Sequence, residues 1–170
     1  MKKLIWIYGL ILGAILAGNM LITISMCYND GDFEGNEVVG YAAMIVVFSM
    51  IYFGVRTHRN RLGDQPFSFA KGLKMGAWIA FIGSSMYVVA WLFYYYLFIP
   101  DFMDKYTHFV LKTATANGAT AVELAEKTAE MAEFKEMYKN PILVVLITYM
   151  EVFPVGLLVS AISAFVLRRK

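Results

Sequence analysis

One residue has the type and the placement to do chemistry that its neighbours do not already explain. Glu151 stands near the middle of a long apolar run, Pro141 to Leu167. At the centre of a bilayer a carboxylate costs at least about 2.5–3.5 kcal/mol, so it faces inward and either finds a partner or keeps its proton. Such a group can be a proton or ion site, or a neutral packing carboxyl held by hydrogen bonds. Pro154 follows closely; lacking an N–H, it frees the carbonyl one turn back, at Met150, beside Glu151. Polar groups that could meet the carboxyl come from other apolar runs. Asn19, Ser84 and Ser85 complete the candidate intramembrane polar site, and Thr23, Ser25 and Ser49 are further hydroxyls. No second acid and no base sits in these runs, so the functional and the packing readings both stand. Asn19 by itself reads as an interhelical hydrogen bond.

Other chemistry is poorly supplied. Ser84 and Ser85 have no histidine at membrane depth, and His58 and His108 fall in separate loops. An intramembrane hydrolase needs a nucleophile with a base, or a metal cluster. The lone Cys27 excludes an internal disulfide framework and a cysteine-based zinc cluster. No catalytic, metal or cofactor grouping is visible, and a non-enzymatic protein is expected. The formal net charge of +2 is small and the basic residues trace no groove, which argues against a nucleic-acid partner.

The elements that must carry Glu151 are written in the hydropathy. Apolar residues make up 59% of the 170 residues and charged ones 16%, against roughly 25% charged in soluble domains. These charges are too few to cover a water-facing surface, so lipid is the expected solvent. A bilayer core about 30 Å thick needs roughly 20 apolar residues of helix. Four stretches answer: Leu4 to Cys27, Val38 to Val55, Met75 to Ile99 and Pro141 to Leu167. None holds an internal lysine or arginine. The expected fold is an all-α integral membrane protein: one domain over 1–170, a bundle of four transmembrane helices with an external helical insertion between the third and fourth. The first run is too long for a cleavable signal core, about 7–15 residues, and ends in no small-residue cleavage site. Met26 before Cys27 also argues against a lipoprotein signal.

Loop charges set the orientation, since lysine and arginine stay on the cytoplasmic side of short loops. Lys2 and Lys3, then Arg56, Arg59, Arg61, Lys71 and Lys74, then Arg168, Arg169 and Lys170 mark one side. Asp30, Asp32, Glu34 and Glu37 mark the other. Both termini are therefore expected in the cytoplasm. Asn36-Glu37, Ser68 and Asn140-Pro141 read as helix starts. The extracytoplasmic segment, 101–140, reads as two helices. Asp101 to Lys112 carries Phe102, Tyr106 and Phe109 on one face, Asn117-Gly118 breaks it, and a second helix from Thr120 or its neighbours carries Leu124, Met131, Phe134 and Met137. Glu123 and Lys127 have ion-pair spacing on that helix. The hairpin could pack on itself and the membrane face, or dock an envelope protein.

Small residues spaced four apart let helices approach closely in lipid. Gly9, Gly13 and Ala17 form such a stripe in the first span, Gly72, Gly76, Ala80 and Ser84 before and within the third, and Gly156, Ser160 and Ala164 in the fourth. They can join helices of one chain or of a homo-oligomer.

Several of these pieces recur together in a known family. The run Tyr52-Phe53-Gly54-Val55-Arg56, continued through Arg59 and Arg61 to Phe67-Ser68-Phe69-Ala70-Lys71-Gly72, is one. The exit Ile99-Pro100-Asp101-Phe102 and the ending from Val155-Gly156-Leu157 to Arg168 are others. In this order the chain resembles a bacterial four-span membrane family, domain of unknown function 4199, over nearly its whole length. The resemblance implies a bacterial cytoplasmic membrane and carries no activity, substrate or catalytic residue. The expected role is a non-enzymatic accessory or scaffold protein; the alternative is a small oligomeric transporter or proton-linked permeation unit using Glu151.

Overall fold

The computed structural model describes residues 1–31, 33 and 37–169, the side chains of 37–39 excepted. Among the described residues seven helices follow one another: α1 (Lys2–Asp30), α2 (Glu37–Phe48), α3 (Met50–Arg61), α4 (Phe69–Phe98), α5 (Phe102–Ala116), α6 (Ala121–Met137) and α7 (Pro141–Leu167). Four apolar segments are long enough to cross a membrane: Lys2–Asp30, Gly40–Arg61, Phe69–Phe98 and Pro141–Leu167. The all-helical, four-span expectation therefore holds, with α5 and α6 inserted between the last two crossings. Asn36, Asp32, Glu34 and Lys170 lie outside the described residues, so the Asn36 cap does too.

Local chemistry explains the ends. Gly31 terminates α1 in the left-handed region, φ 67°, and returns its N–H to the Cys27 carbonyl. Ser68 accepts from the Lys71 N–H at 3.4 Å and opens α4 ahead of its apolar part. Asn140 accepts from the Ile142 N–H at 3.0 Å, with Pro141 at the start of α7. The second span is not one regular helix. The Ser49 hydroxyl donates to the Val46 carbonyl at 2.5 Å, and the Tyr52 N–H turns back to Ser49 rather than to Phe48, tightening one turn between α2 and α3. Ser49 is thus engaged by its own helix. In the hairpin, Thr120 begins α6 with a capping box. The Glu123 carboxylate accepts from the Thr120 N–H at 2.7 Å, so it folds back on the helix start instead of pairing with Lys127 as its spacing suggested.

Packing centres on α4. Its Gly72, Gly76 and Ala80 meet Ala164, Ser160 and Gly156 of α7 in reverse order, an antiparallel seam of small residues. A Cβ built on Gly72 would lie 3.0 Å from the Ala164 Cβ, and one on Gly76 would lie 2.8 Å from the Ser160 Cβ. A Cβ on Gly156 would lie 2.8 Å from the Ala80 Cβ. On another side α1 runs parallel to α4, with Gly9 under Ile82 and Gly13 under Met86. The stripes read from the sequence thus join helices of one chain, while Leu10, Ile22, Phe93, Leu146 and Phe165 lie on the exposed surface, where lipid rather than water suits them.

At the end of the bundle that holds both termini, the interior is close-packed. Leu12, Phe48, Ile51, Val55, Phe67, Met75 and Ile79 are all fully buried. The chain end is fastened there. Phe67 and Arg169 exchange main-chain hydrogen bonds of 3.0 and 2.9 Å, and the Arg169 guanidinium donates to the Gly63 and Gln65 carbonyls. Arg169 therefore has a structural task beside its charge.

Because Gly76 sits in the seam, Gly76→Val should lower the thermal unfolding midpoint in detergent, by about 1–3 kcal/mol of overpacking. Gly18 has nothing within 4 Å of a built Cβ, so Gly18→Ala should leave the midpoint level or raise it. Equal effects from the two variants would refute the seam.

Candidate functional site

Along one face of α4 the residues change character from Gly83 to Tyr87, Trp91 and Tyr95 at four-residue steps. Small side chains draw the helices together at the terminal end; rings hold them apart at the hairpin end. The space this leaves is a cavity of about 290 Å³. Met20 and Ile24 of α1, Tyr87 and Trp91 of α4, and Ile147, Thr148 and Glu151 of α7 form its walls. Phe102, Met103 and Tyr106 of α5, with Phe134 and Tyr138 from α6 and its end, cover it. A larger groove of about 640 Å³ runs along α1 and α4 past Leu21, Ile22, Met26 and Phe93, but its lining is nearly all apolar and suits lipid chains. The smaller cavity is the one with chemistry.

Each polar wall has a physical reason for its position. Seam residues Val152, Gly156 and Ser160 are buried towards the bundle centre, which turns Ile147 and Glu151 towards the cavity. Thr148 bonds its own helix, donating to the Val144 carbonyl at 2.7 Å. Tyr138 is held from three directions: Tyr96 donates to its carbonyl at 2.9 Å, the Tyr95 ring lies at 5.3 Å, and the Phe134 ring at 5.1 Å. Burial, and then the charge of Glu151, push the Tyr138 phenol up to about 12. It stays protonated at physiological pH and can donate a hydrogen bond into the cavity.

The rim is fastened by polar contacts. The Tyr28 hydroxyl at the end of α1 donates to Asp101, and this bond is the main reason that the Asp101 carboxyl is held below its usual range. Lys105 lies 3.5 Å from the Tyr28 ring centroid, a cation–π contact. Phe33, between α1 and α2, packs against Phe102, Tyr106 and Phe109 at 5.5–5.7 Å, completing the apolar face read on α5. Lys135 pairs with Asp104 to tie α6 to α5.

The candidate polar site separates in the structure. Glu151 lines the cavity but remains exposed rather than turned fully inward as expected; Asn19, Ser84 and Ser85 are not among the walls. Ser85 bonds the Tyr149 hydroxyl at 2.6 Å and the Phe81 carbonyl at 2.7 Å. Ser84 is fully buried in the α4 interior, and its hydroxyl finds no hydrogen-bond partner among the described residues. Asn19 lies on the exposed surface of α1. Small hydroxyls on helices reach their own backbone or the next turn more readily than they reach across a bundle, so equal depth did not make them neighbours of Glu151. The residues that share the cavity wall with it, Tyr87, Tyr106 and Tyr138, carry no spacing signal: they come from three separate segments. Among the described residues no group of three or more metal-ligating side chains occurs.

With this architecture established, the chain matches the family described as protein of unknown function (DUF4199) over residues 7–169. It belongs to that family. No curated protein and no solved structure matches it. The DUF4199 match spans all four crossings and the hairpin, so the cavity is assembled wholly within the family's matched region.

In a Cys27→Ser background, Ile147→Cys should react with a water-soluble methanethiosulfonate added on the hairpin side of proteoliposomes. Val152→Cys, in the fully buried core, should stay unreacted. Comparable labelling rates at the two positions would show that water does not stop at the level of Glu151.

Proposed function

We propose that this DUF4199 protein is a non-enzymatic accessory of a bacterial cytoplasmic membrane, and that its working element is the cavity ending at Glu151. Both termini lie in the cytoplasm and the α5–α6 hairpin outside. The clustering of Arg56, Arg59, Arg61, Lys71 and Lys74 on the terminal side supports that orientation. The observation that carries the functional reading is the asymmetry of the bundle. The cavity is roomy at the hairpin end, whereas Leu12, Phe48, Ile79 and Val152 close the space beyond it. A recess of this form suits holding a ligand presented from the hairpin side. A conducting path would need a continuation through the packed half.

The permeation reading keeps one point in its favour, the carboxyl of Glu151 at membrane depth. It would also require a second conformation that opens the Phe48 layer, and an oligomer, four spans being few for a transporter. A homo-oligomer or an envelope partner fits the accessory role as well, through the exposed apolar flanks and the hairpin.

A proton-flux measurement separates these readings. Proteoliposomes loaded with a pH-sensitive dye should acidify under a proton gradient no faster than empty vesicles. A protein-dependent flux that Glu151→Gln abolishes would establish permeation instead. For orientation, Cys27→Ser with Asn60→Cys should resist an impermeant maleimide in intact cells and react after permeabilisation. Labelling without permeabilisation would invert the topology.

A further inference from the structure

The chemistry of the cavity wall narrows the ligand that it would hold. Glu151 is the one ionisable carboxylate among the described lining residues, and no lysine, arginine or histidine is among them. The same lining holds six aromatic residues, Tyr87, Trp91, Phe102, Tyr106, Phe134 and Tyr138. Ring faces carry negative potential, so a cavity lined by aromatic residues and one carboxylate suits positive charge and disfavours an anion. A compact, strongly hydrated metal ion finds no oxygen cage here. An alkylated ammonium gives up its hydration more easily and presents methyl or methylene groups to the rings. The cavity volume, about 290 Å³, stands at the foot of the roughly 300–1,000 Å³ range of ligand pockets, which limits the occupant to a small molecule or a single headgroup.

We propose that this cavity is a binding site for a small organic ammonium, with Glu151 as its counter-charge and Tyr87, Trp91, Tyr106 and Tyr138 as an aromatic cage. The inference rests on the reading of the cavity as a ligand site and adds the charge and class of the ligand. Two sources share this chemistry: a free amine such as choline, and the headgroup of an amine-bearing phospholipid. Glu151 supplies the charge selectivity. The rings supply affinity for the alkyl groups, and the protonated Tyr138 phenol adds a hydrogen-bond donor for an attached hydroxyl or phosphate oxygen.

The test uses the full chain in nanodiscs of phosphatidylglycerol, with choline and its uncharged isostere 3,3-dimethyl-1-butanol as probes. Trp6→Phe and Trp78→Phe leave Trp91 as the reporter, since these are the three tryptophans of the chain. Choline should change Trp91 emission saturably, and the isostere should need at least tenfold more for the same effect. Glu151→Gln should remove that preference and Glu151→Asp should keep it. Equal response to the two probes in the unsubstituted site would overturn the ammonium assignment while leaving a ligand cavity. Silence of Trp91 towards both would overturn the cavity reading together with it. Because the probe comparison is made with Glu151 intact, a misfolded variant cannot decide the outcome. Nanodiscs containing phosphatidylethanolamine then identify the source. A blunted choline response there assigns the site to a lipid headgroup, and an unchanged response assigns it to a free amine; both support an ammonium site.

Discussion

The close approach of α4 and α7 is the constraint from which the rest of the molecule follows. Lipid offers no hydrophobic drive to bring two apolar helices together, so contact depends on van der Waals fit between backbones. Gly72, Gly76 and Ala80 against Ala164, Ser160 and Gly156 supply that fit, with built Cβ distances of 2.8–3.0 Å leaving no room for a larger residue. This seam sets the rotation of α7 about its axis. Once Val152, Gly156 and Ser160 face inward, the helical repeat leaves Glu151 no choice of direction. A charged residue that would be costly against lipid is brought to the cavity wall, while remaining exposed, by residues that carry no charge.

The same helix that closes one end of the bundle opens the other. On α4, glycine and alanine give way to Tyr87, Trp91 and Tyr95, and the burial follows: a dense cluster at the terminal end and an aromatic cluster around a void at the hairpin end. Large rings hold helix axes farther apart than glycine and alanine do. The hairpin helices cover part of the resulting gap with Phe102, Tyr106, Phe134 and Tyr138. Architecture and cavity are therefore two consequences of one gradient in side-chain size along a single helix.

Much of this was legible in the sequence, for definable reasons. Long uncharged runs reported the four crossings, and Ser68 and Asn140 marked helix starts because their side chains satisfy donors that any helix start leaves open. The small-residue stripes reported the seam, although not which stripes meet. Glu151 was singled out by its cost in lipid. Its companions in the cavity wall were hidden, because Tyr87, Tyr106 and Tyr138 converge only once α4, α5, the end of α6 and α7 are docked. Asn19, Ser84 and Ser85 share its apolar setting but point elsewhere, which hydropathy cannot encode. The tightened turn at Ser49 was equally silent, since an apolar run looks the same whether its helix is regular or not.

Phe33 has a consequence for how the cavity mouth responds to its medium. Its ring meets Phe102, Tyr106 and Phe109 together, and aromatic pairs of this kind contribute about 0.5–1.5 kcal/mol each beyond their buried area. The Lys135–Asp104 pair, by contrast, lies in the open, with side chains 44% and 64% exposed, where dissolved ions weaken it. The Phe33 contacts carry no charge and hold alike in dilute and saline surroundings, while the charged tie on the flank of the hairpin loosens as ions are added.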